Sequence, residues 1–170
     1  MRIGHGWDLH RLAPGRPCRI GGLDLPHGKG PLGHSDGDVV LHALADALLG
    51  AAALGDIGVF FPDTDPRWKG ADSAHLLAEV LERVRSAGFA LVNVDITIVA
   101  EEPKIGPHRQ AIRENLARLL DADLGRVSLK AKTTEGLGDI GAGEAMACHA
   151  VVLLEEGDQA NRGSGGQVIE

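Results

Sequence analysis

The sequence is poor in aromatic side chains, in cysteine and in positive charge. Phe and Trp together make up 3% of the 170 residues, Tyr is absent, and the formal net charge is -7. A nucleic-acid-binding surface uses a basic patch and stacking rings, so this composition argues against one. No apolar run approaches the roughly 18 residues of a membrane span, and the amino terminus lacks the pattern of a secretory signal. We therefore expect a cytoplasmic protein that binds neither nucleic acid nor membrane.

Cysteine is present only as Cys18 and Cys148, which form no C-x-x-C pair. This spacing favours two reduced, buried thiols over a disulfide or a metal-binding pair. Glycine, by contrast, occurs 24 times, about twice its usual share of roughly 7%. We expect many tight turns within a single domain over residues 1–156, followed by a flexible tail over residues 157–170.

Hydrophobic periodicity predicts long elements in the order strand, helix, helix, strand, helix, strand, strand. The predicted strands cover residues 1–12, 89–100, 127–134 and 145–154, and the predicted helices cover about 35–54, 73–87 and 108–120. A short strand or hairpin is expected over residues 17–25 in the same sheet, and a long loop over 55–72. This order describes an α/β fold, an α+β sandwich, whose mixed sheet has a ferredoxin-like topology and carries its helices on one face.

Asp8 and His10 are separated by one residue in a predicted strand, so their side chains point to the same face. His42, on the first predicted helix, completes a set of one carboxylate and two imidazoles, here called the metal triad. These ligands suit zinc or a similar divalent ion, and three of them leave a coordination position open for substrate. Polar residues at a sheet end are the alternative. Asp38 and Asp46 lie four residues either side of His42, so we expect one of them to accept its second ring N–H.

Two other segments carry groups that can bind phosphate. His34 and Ser35 precede the first helix and can present side chains and backbone N–H groups to an anion, although a loop histidine is an alternative. Ser35 with Asp38 also predicts the cap of that helix. Residues 132–135 (KTTE) supply a cation, two hydroxyls and a carboxylate at a strand end, and could bind phosphate with a second, Mg²⁺-like ion. An ordinary edge turn is the alternative for this segment, called the 132–135 turn below.

Five ordered segments are spaced as in a known enzyme family. They are residues 4–10 (GHGWDLH), 34–38 (HSDGD), 43–56, 61–65 (FPDTD) and 133–135 (TTE). Together they resemble the 2-C-methyl-D-erythritol 2,4-cyclodiphosphate synthases of the non-mevalonate isoprenoid pathway, over residues 1–155. The resemblance implies a lyase of terpenoid biosynthesis that converts 4-diphosphocytidyl-2-C-methyl-D-erythritol 2-phosphate to the cyclic diphosphate and CMP. It also implies a homotrimer with active sites between subunits.

The resemblance further implies a role for each matching residue. The metal triad holds zinc or a similar ion, His34 and Thr133 stabilise the transition state, and Glu135 holds Mg²⁺ or Mn²⁺ on the diphosphate. Residues 56–58 and 61–65 line the sugar and erythritol hydroxyls, and residues 100–106 line the cytosine and diphosphate. The full substrate-binding set is Asp8, His10, His34, Ser35, Asp56, Ile57, Gly58, Phe61, Pro62, Asp63, Thr64, Asp65, Ala100, Pro103, Lys104, Ile105, Gly106, Lys132, Thr133, Thr134 and Glu135.

The chain departs from this family at two positions. Asp139 and Ala142 stand where many members carry an aromatic residue and an arginine near the trimer axis. We therefore do not predict a cationic site for isoprenoid diphosphates there. Two rival hypotheses use the same ligands: a metal-dependent phosphohydrolase of a nucleotide diphosphate ester, and a metal-stapled trimeric binding module without enzymatic activity.

Overall fold

The computed structural model describes residues 1–157, so the predicted tail lies outside the described residues apart from Gly157. The long elements follow the predicted order. The strands are β1 (Arg2–Pro14), β2 (Cys18–Ile20), β3 (Leu23–Leu25), β4 (Lys29–Pro31), β5 (Phe89–Val99), β6 (Val127–Lys132) and β7 (Ala145–Glu156). The helices are α1 (Val39–Ala51), α2 (Ile57–Phe60), α3 (Ser73–Ser86), α4 (Arg109–Leu120) and α5 (Gly138–Gly141). The four-residue helices α2 and α5 and strand β4 were not predicted.

The main sheet is mixed, as predicted, with the strand order β4-β1-β7-β5-β6. Strands β5 and β6 run parallel, and the other neighbours run antiparallel. The expectation that the hairpin over residues 17–25 joins this sheet is wrong, because β2 and β3 form a separate two-stranded sheet. The hairpin turn is instead bonded to the helices: Asp38 accepts the N–H groups of Gly21 and Gly22, and Asn115 donates to the Gly21 carbonyl.

The ferredoxin-like topology is also wrong. A ferredoxin-like chain joins its second and third strands without a helix between them. Here α4 lies between the second and third long strands, β5 and β6. Because parallel neighbours require a crossover connection, this helix accounts for the parallel pairing of β5 with β6.

The helices cover one face of the sheet, as predicted. Helix α1 packs on β1 and β7, α3 on β5, and α4 on β6. Along β7, Cys148, Ala150 and Val152 are buried while His149 and Val151 are exposed, which is the alternation of a sheet covered on one side. Both cysteines are buried free thiols, in agreement with the prediction. Within the described residues, every helix is too short or too polar to cross a membrane.

Two glycines of β1 allow α1 to approach closely. A Cβ atom added to Gly4 would lie 1.9 Å from the carbonyl oxygen of Ala47, and one added to Gly6 would lie 1.9 Å from that of Ala43. Only glycine therefore fits at these positions without moving the helix. Positions 4 and 6 share their strand face with positions 8 and 10, so the same close approach brings α1 to the ligand-bearing end of β1.

Helix α1 begins one turn later than predicted, and its cap is Asp38 rather than Ser35. The Asp38 side chain accepts the N–H groups of Val40 and Leu41 as well as those of the hairpin turn. This carboxyl group is wholly buried, and burial raises its pKa even though hydrogen bonds from the backbone act in the opposite direction. Asp38 therefore joins the hairpin to the start of α1.

Candidate active site

The metal triad assembles where β1 meets the first turn of α1. Asp8 Oδ2 lies 3.0 Å from His10 Nε2 and 2.9 Å from His42 Nδ1, and the two ring nitrogens are 3.1 Å apart. Zinc bonds of about 2.0–2.1 Å in a tetrahedron put neighbouring ligand atoms about 3.3 Å apart. The three atoms therefore approximate one face of a coordination tetrahedron. Among the described residues, this is the one group of three or more ligand side chains that could hold a metal ion.

The charges within the triad favour binding of a cation. Burial acts to raise the pKa of Asp8, but the hydrogen bonds and charges of His10 and His42 hold it well below its usual range. Burial acts to lower the pKa of His42, and the hydrogen bond and charge of Asp8 outweigh that and raise it. Asp8 is thus ionised, which is the form that binds a metal ion.

The second ring nitrogen of His42 does not bond to either carboxylate predicted for it. His42 Nε2 lies 2.9 Å from Ser73 Oγ and 3.0 Å from Ser35 Oγ. Asp46 instead accepts the N–H of Ile57 at 2.8 Å, and Asp38 caps the helix. The prediction failed because spacing along a helix locates a side chain on a face but says nothing of the backbone donors that other segments bring to it.

A cavity of about 150 Å³ adjoins the triad. His10 and His42 of the triad line it, together with five residues that the resemblance assigned to the substrate, namely His34, Ser35, Ile57, Phe61 and Asp63. Trp68 and Leu76 also line it and were missed. The position of Leu76 on the apolar stripe of α3 indicated only a core residue, and Trp68 fell within a predicted loop. The structure thus brings residues of three predicted segments to one small cavity.

The remaining residues predicted for this side of the site make local contacts. Asp56 is the cap of α2 and accepts the N–H of Val59. Asp65 caps the short 3₁₀ helix Pro66–Trp68 and pairs with Arg67 at 2.6 Å. These carboxylates stabilise the loop that carries the cavity lining. Gly58 lies within α2, Pro62 and Thr64 follow that helix, and all three are exposed or half-buried.

A second cavity, of about 320 Å³, lies near the edge strand β6, on the other side of the sheet from β1. It is lined by Ala100, Lys104, Ile105 and Gly106 from the predicted 100–106 segment, and by Lys132 and Thr133. Pro103 is buried and is not part of the lining. Pro107, Arg109 and Ala131 were missed, and Arg109 adds a cation at the first residue of α4.

Glu101 holds the 132–135 turn, a role that was not predicted although the residue lies in the predicted 100–106 segment. Its Oε1 atom accepts the N–H groups of Thr134 and Gly136, each at 3.1 Å. The hydroxyl of Thr133 donates to Glu135 Oε1 at 2.5 Å, and Glu135 has a positive φ of 54°. One carboxylate from outside the turn therefore stabilises its backbone. The sequence offers no signal for this role beyond the adjacent acidic pair at positions 101 and 102.

Within one subunit, the triad and the 132–135 turn lie far apart in space. Leu9 pairs with Ala147, Ala147 with Val99, and Val99 with Lys132, so the two regions stand at the same level of the sheet. They are separated by three strand spacings of about 4.8 Å, or about 14 Å. The two cavities share no lining residue, and Glu135 does not join the triad.

Comparison with known proteins identifies the relatives of this chain. The family model described as the YgbB family matches residues 1–155. A protein of Geobacter sulfurreducens is 60% identical over 156 residues, which cover 92% of this chain and 99% of that protein. A protein of Trichlorobacter lovleyi is 58% identical over 154 residues, covering 91% and 98% respectively. Both relatives are named 2-C-methyl-D-erythritol 2,4-cyclodiphosphate synthase.

Solved structures agree with the sequence comparison. A CDP-bound 2-C-methyl-D-erythritol-2,4-cyclodiphosphate synthase aligns with a TM-score of 0.84 at 47% identity, over 91% of this chain and all of that one. The bifunctional IspDF of Campylobacter jejuni aligns with a TM-score of 0.89 at 44% identity, over 94% of this chain and 43% of that protein. This chain thus spans less than half of the bifunctional enzyme. From the family match, the identities and the shared fold together, the chain belongs to the YgbB family.

Proposed function

We propose that this chain is a 2-C-methyl-D-erythritol 2,4-cyclodiphosphate synthase, a lyase of isoprenoid biosynthesis. The observation that carries the proposal is the metal triad beside the cavity of His34 and Asp63, in a chain 60% identical to a relative of that name over 99% of the relative's length. The CDP complexes among the solved relatives support a cytidine diphosphate ester as the substrate class.

The proposed reaction needs no protein nucleophile. An oxygen of the substrate's 2-phosphate attacks the β-phosphorus, the bond from that phosphorus to the bridging oxygen breaks, and CMP leaves with the bridging oxygen and its electron pair. The eight-membered ring of the cyclic diphosphate closes in the same step. Because both reacting phosphates belong to one molecule, the protein gains rate mainly by folding the substrate and offsetting its charge.

The residues around the smaller cavity fit this task. Asp8, His10 and His42 would hold a divalent ion, which we propose to be zinc, and that ion would supply positive charge to offset the charge of the diphosphate. His34 presents an imidazole to the same space, where it can donate to a phosphate oxygen. The Asp63 carboxylate can accept a hydrogen bond from a substrate hydroxyl. The apolar side chains of Ile57 and Phe61 limit the access of water to the same space.

We assign the larger cavity and the 132–135 turn to the cytidine diphosphate. Lys104, Lys132 and Arg109 give that cavity three cations, which suits a diphosphate. Thr133 contributes a hydroxyl to the transferring phosphate, and Glu135 is the proposed ligand of Mg²⁺ or Mn²⁺. The separation of about 14 Å between turn and triad then requires that a second subunit supply one of the two.

A homotrimer with active sites between subunits meets this requirement. The sheet face opposite the helices exposes apolar side chains that include Ile3, Trp7 and Leu9, with exposed fractions of 72%, 50% and 45%. An exposed apolar face of this kind is typical of a subunit interface. We propose that subunits meet through it, so that the metal triad of one faces the 132–135 turn of the next.

The product of the reaction tests the chemistry. Phosphorus NMR of the purified enzyme with 4-diphosphocytidyl-2-C-methyl-D-erythritol 2-phosphate is expected to detect the cyclic diphosphate together with CMP. Release of CMP with only a linear phosphate would establish the phosphohydrolase instead. Absence of turnover with retained CDP binding would favour the binding module. His42→Ala serves as the control and is expected to be folded, poor in metal and inactive.

Mixed subunits test the shared site. His42→Ala and Thr133→Ala are each expected to be inactive alone, because every site contains one damaged half. In a trimer that contains both variants, one site of three joins an intact triad to an intact turn. Averaged over all trimers formed by random mixing at equal amounts, each site has an even chance of an intact triad and an even chance of an intact turn, so about a quarter of wild-type activity is restored. The matched control carries both substitutions in one chain and is mixed with His42→Ala, which leaves every triad damaged. Activity in that control, or none in the first mixture, would contradict a site built from two subunits.

A further inference from the structure

The ring nitrogen of His42 that faces away from the metal triad meets two hydroxyl groups. His42 Nε2 is 2.9 Å from Ser73 Oγ and 3.0 Å from Ser35 Oγ, while Nδ1 faces Asp8 and His10. A neutral imidazole carries its proton on one nitrogen only, and a protonated nitrogen cannot bind a metal ion. The proton must therefore reside on Nε2 for His42 to act as a ligand.

The hydroxyl of Ser73 can act only as an acceptor toward His42. Its single proton is donated to Asp36 Oδ1, because an ionised carboxylate can only accept a hydrogen bond. Only lone pairs of Ser73 then remain for His42, and they require a proton on Nε2. Ser35 differs, because its oxygen accepts the N–H of Gly37 and, within the described residues, its proton is not directed to a carboxylate. Ser73 therefore favours the proton on Nε2, whereas the ionised Asp8 beside Nδ1 can accept a proton from that nitrogen until a metal ion takes its place.

Asp36 is held in place by contacts on its other oxygen. Asp36 Oδ2 accepts the backbone N–H of Ser73 at 3.0 Å and lies 3.5 Å from Arg19 Nη1. Ser73 is the first residue of α3 and is 1% exposed. The first residue of α3 and the Arg19 guanidinium group thus hold the Asp36 carboxylate in place, and that carboxylate sets the direction of the Ser73 hydroxyl.

We propose that Ser73 and Asp36 are positioning residues of the metal triad, which hold His42 in the tautomer that binds a divalent ion. Neither residue belongs to the triad, and neither lines the cavity beside it. Their contribution is to metal affinity, through the ring of His42. The inference rests on the metal site of the proposed function and adds two residues to it.

Zinc affinity measures the proposed role. The full chain is stripped of metal and titrated with Zn²⁺ in competition with a chromogenic chelator. Ser73→Ala and Asp36→Asn are each expected to weaken binding about 10- to 100-fold, the usual effect of removing a partner of a ligating histidine. Because Asp36 acts through Ser73, the double variant should bind no more weakly than Ser73→Ala alone. Additive losses, or wild-type affinity in either single variant, would overturn the proposal.

Asp72 provides a matched control. It caps the same helix by accepting the N–H of Ala74 at 2.9 Å, and it lies 3.6 Å from Arg19 Nη1. Asp72→Asn removes a similar charge beside the same guanidinium group and leaves the Ser73 hydroxyl bond in place. Its zinc affinity is expected to stay within about twofold of wild type. A loss equal to that of Asp36→Asn would assign the effect to charge rather than to the tautomer.

Nitrogen-15 NMR of the zinc-loaded protein distinguishes the two ring nitrogens of His42. Nδ1 should bind the metal and Nε2 should carry the proton, and Ser73→Ala should make that proton exchange faster with water. A proton on Nδ1 with the metal on Nε2 in the wild type would refute the inference even though zinc binds. If the wild type binds no zinc, the metal site of the proposed function fails and the inference fails with it, whereas normal zinc binding with no effect of Ser73→Ala overturns the inference alone. Should Ser73→Ala fail to fold, Asp36→Asn supplies the same comparison.

Discussion

The metal triad and the 132–135 turn lie at the same level of one sheet but are built differently. The triad is enclosed between β1 and α1, and its three side chains contact each other within a single chain. The turn is mostly exposed, and its backbone is held by Glu101. The three candidate ligands of the ion therefore lie together in one chain, whereas the proposed reaction would draw on groups from two subunits.

The largest expected effect comes from changing the charge of the triad. Asp8→Asn replaces the ionised ligand by a neutral one and leaves two histidines to bind the ion. Zinc affinity should therefore fall by more than about 100-fold, a larger loss than is usual for a residue that only hydrogen-bonds to a ligating side chain. Cyclisation should fall with it, while CDP binding should weaken far less, because Lys104 and Lys132 still line the proposed CDP cavity. Titration calorimetry with Zn²⁺ and with CDP separates the two regions. Parallel loss of both ligands would mean that the regions are not independent.

The next effect comes from the packing that assembles the triad. Gly6→Ala places a methyl group on the backbone of α1 and should reduce the free energy of unfolding by about 3 kcal/mol, as overpacking does. Urea denaturation measures this loss. Gly28→Ala is the control, because a Cβ atom there meets no atom within 4 Å. Equal stability of the two variants would contradict the close approach of α1 to β1.

The pH dependence of zinc binding tests the charges within the triad. Asp8 raises the pKa of His42, so the proton competes with the ion more strongly than at an ordinary histidine. Affinity should therefore be lost as the pH falls through this raised pKa, by up to about tenfold per pH unit for one proton. Binding curves between about pH 5.5 and 8.5 measure the slope. In the same range CDP binding at the turn should change less, and an equal slope would argue against a role for His42.

The smallest effect is expected at the turn. Glu101→Ala removes the acceptor of two backbone N–H groups, a loss of about 1.5 kcal/mol that should weaken CDP binding about tenfold. Zinc affinity should not change, because the triad lies elsewhere in the chain. Glu102→Ala, an exposed neighbour, is the control. If Glu101→Ala weakens zinc as much as CDP, the separation of the two regions is wrong.

Much of the fold and half of the site were predictable from local pattern. Alternation along β1 predicted that Asp8 and His10 share a face, and the apolar stripes predicted α1, α3 and α4. Ile57 and Asp63 were named through the family resemblance and His34 also from its position before the first helix, and all three line the cavity beside the triad. The separate hairpin sheet and the parallel pairing of β5 with β6 were missed, because strand pairing depends on contacts between distant segments.

The sequence by itself determined which side chains could bind an ion and a phosphate, since that chemistry and the period of a strand are local. Only the tertiary structure decided what surrounds them. Ser73 and Ser35, rather than Asp38 or Asp46, meet the second ring nitrogen of His42, and Glu101 holds the turn. The physical reason is that a buried polar group bonds to whatever donor or acceptor the packing of distant elements brings within reach, and no local pattern encodes that partner.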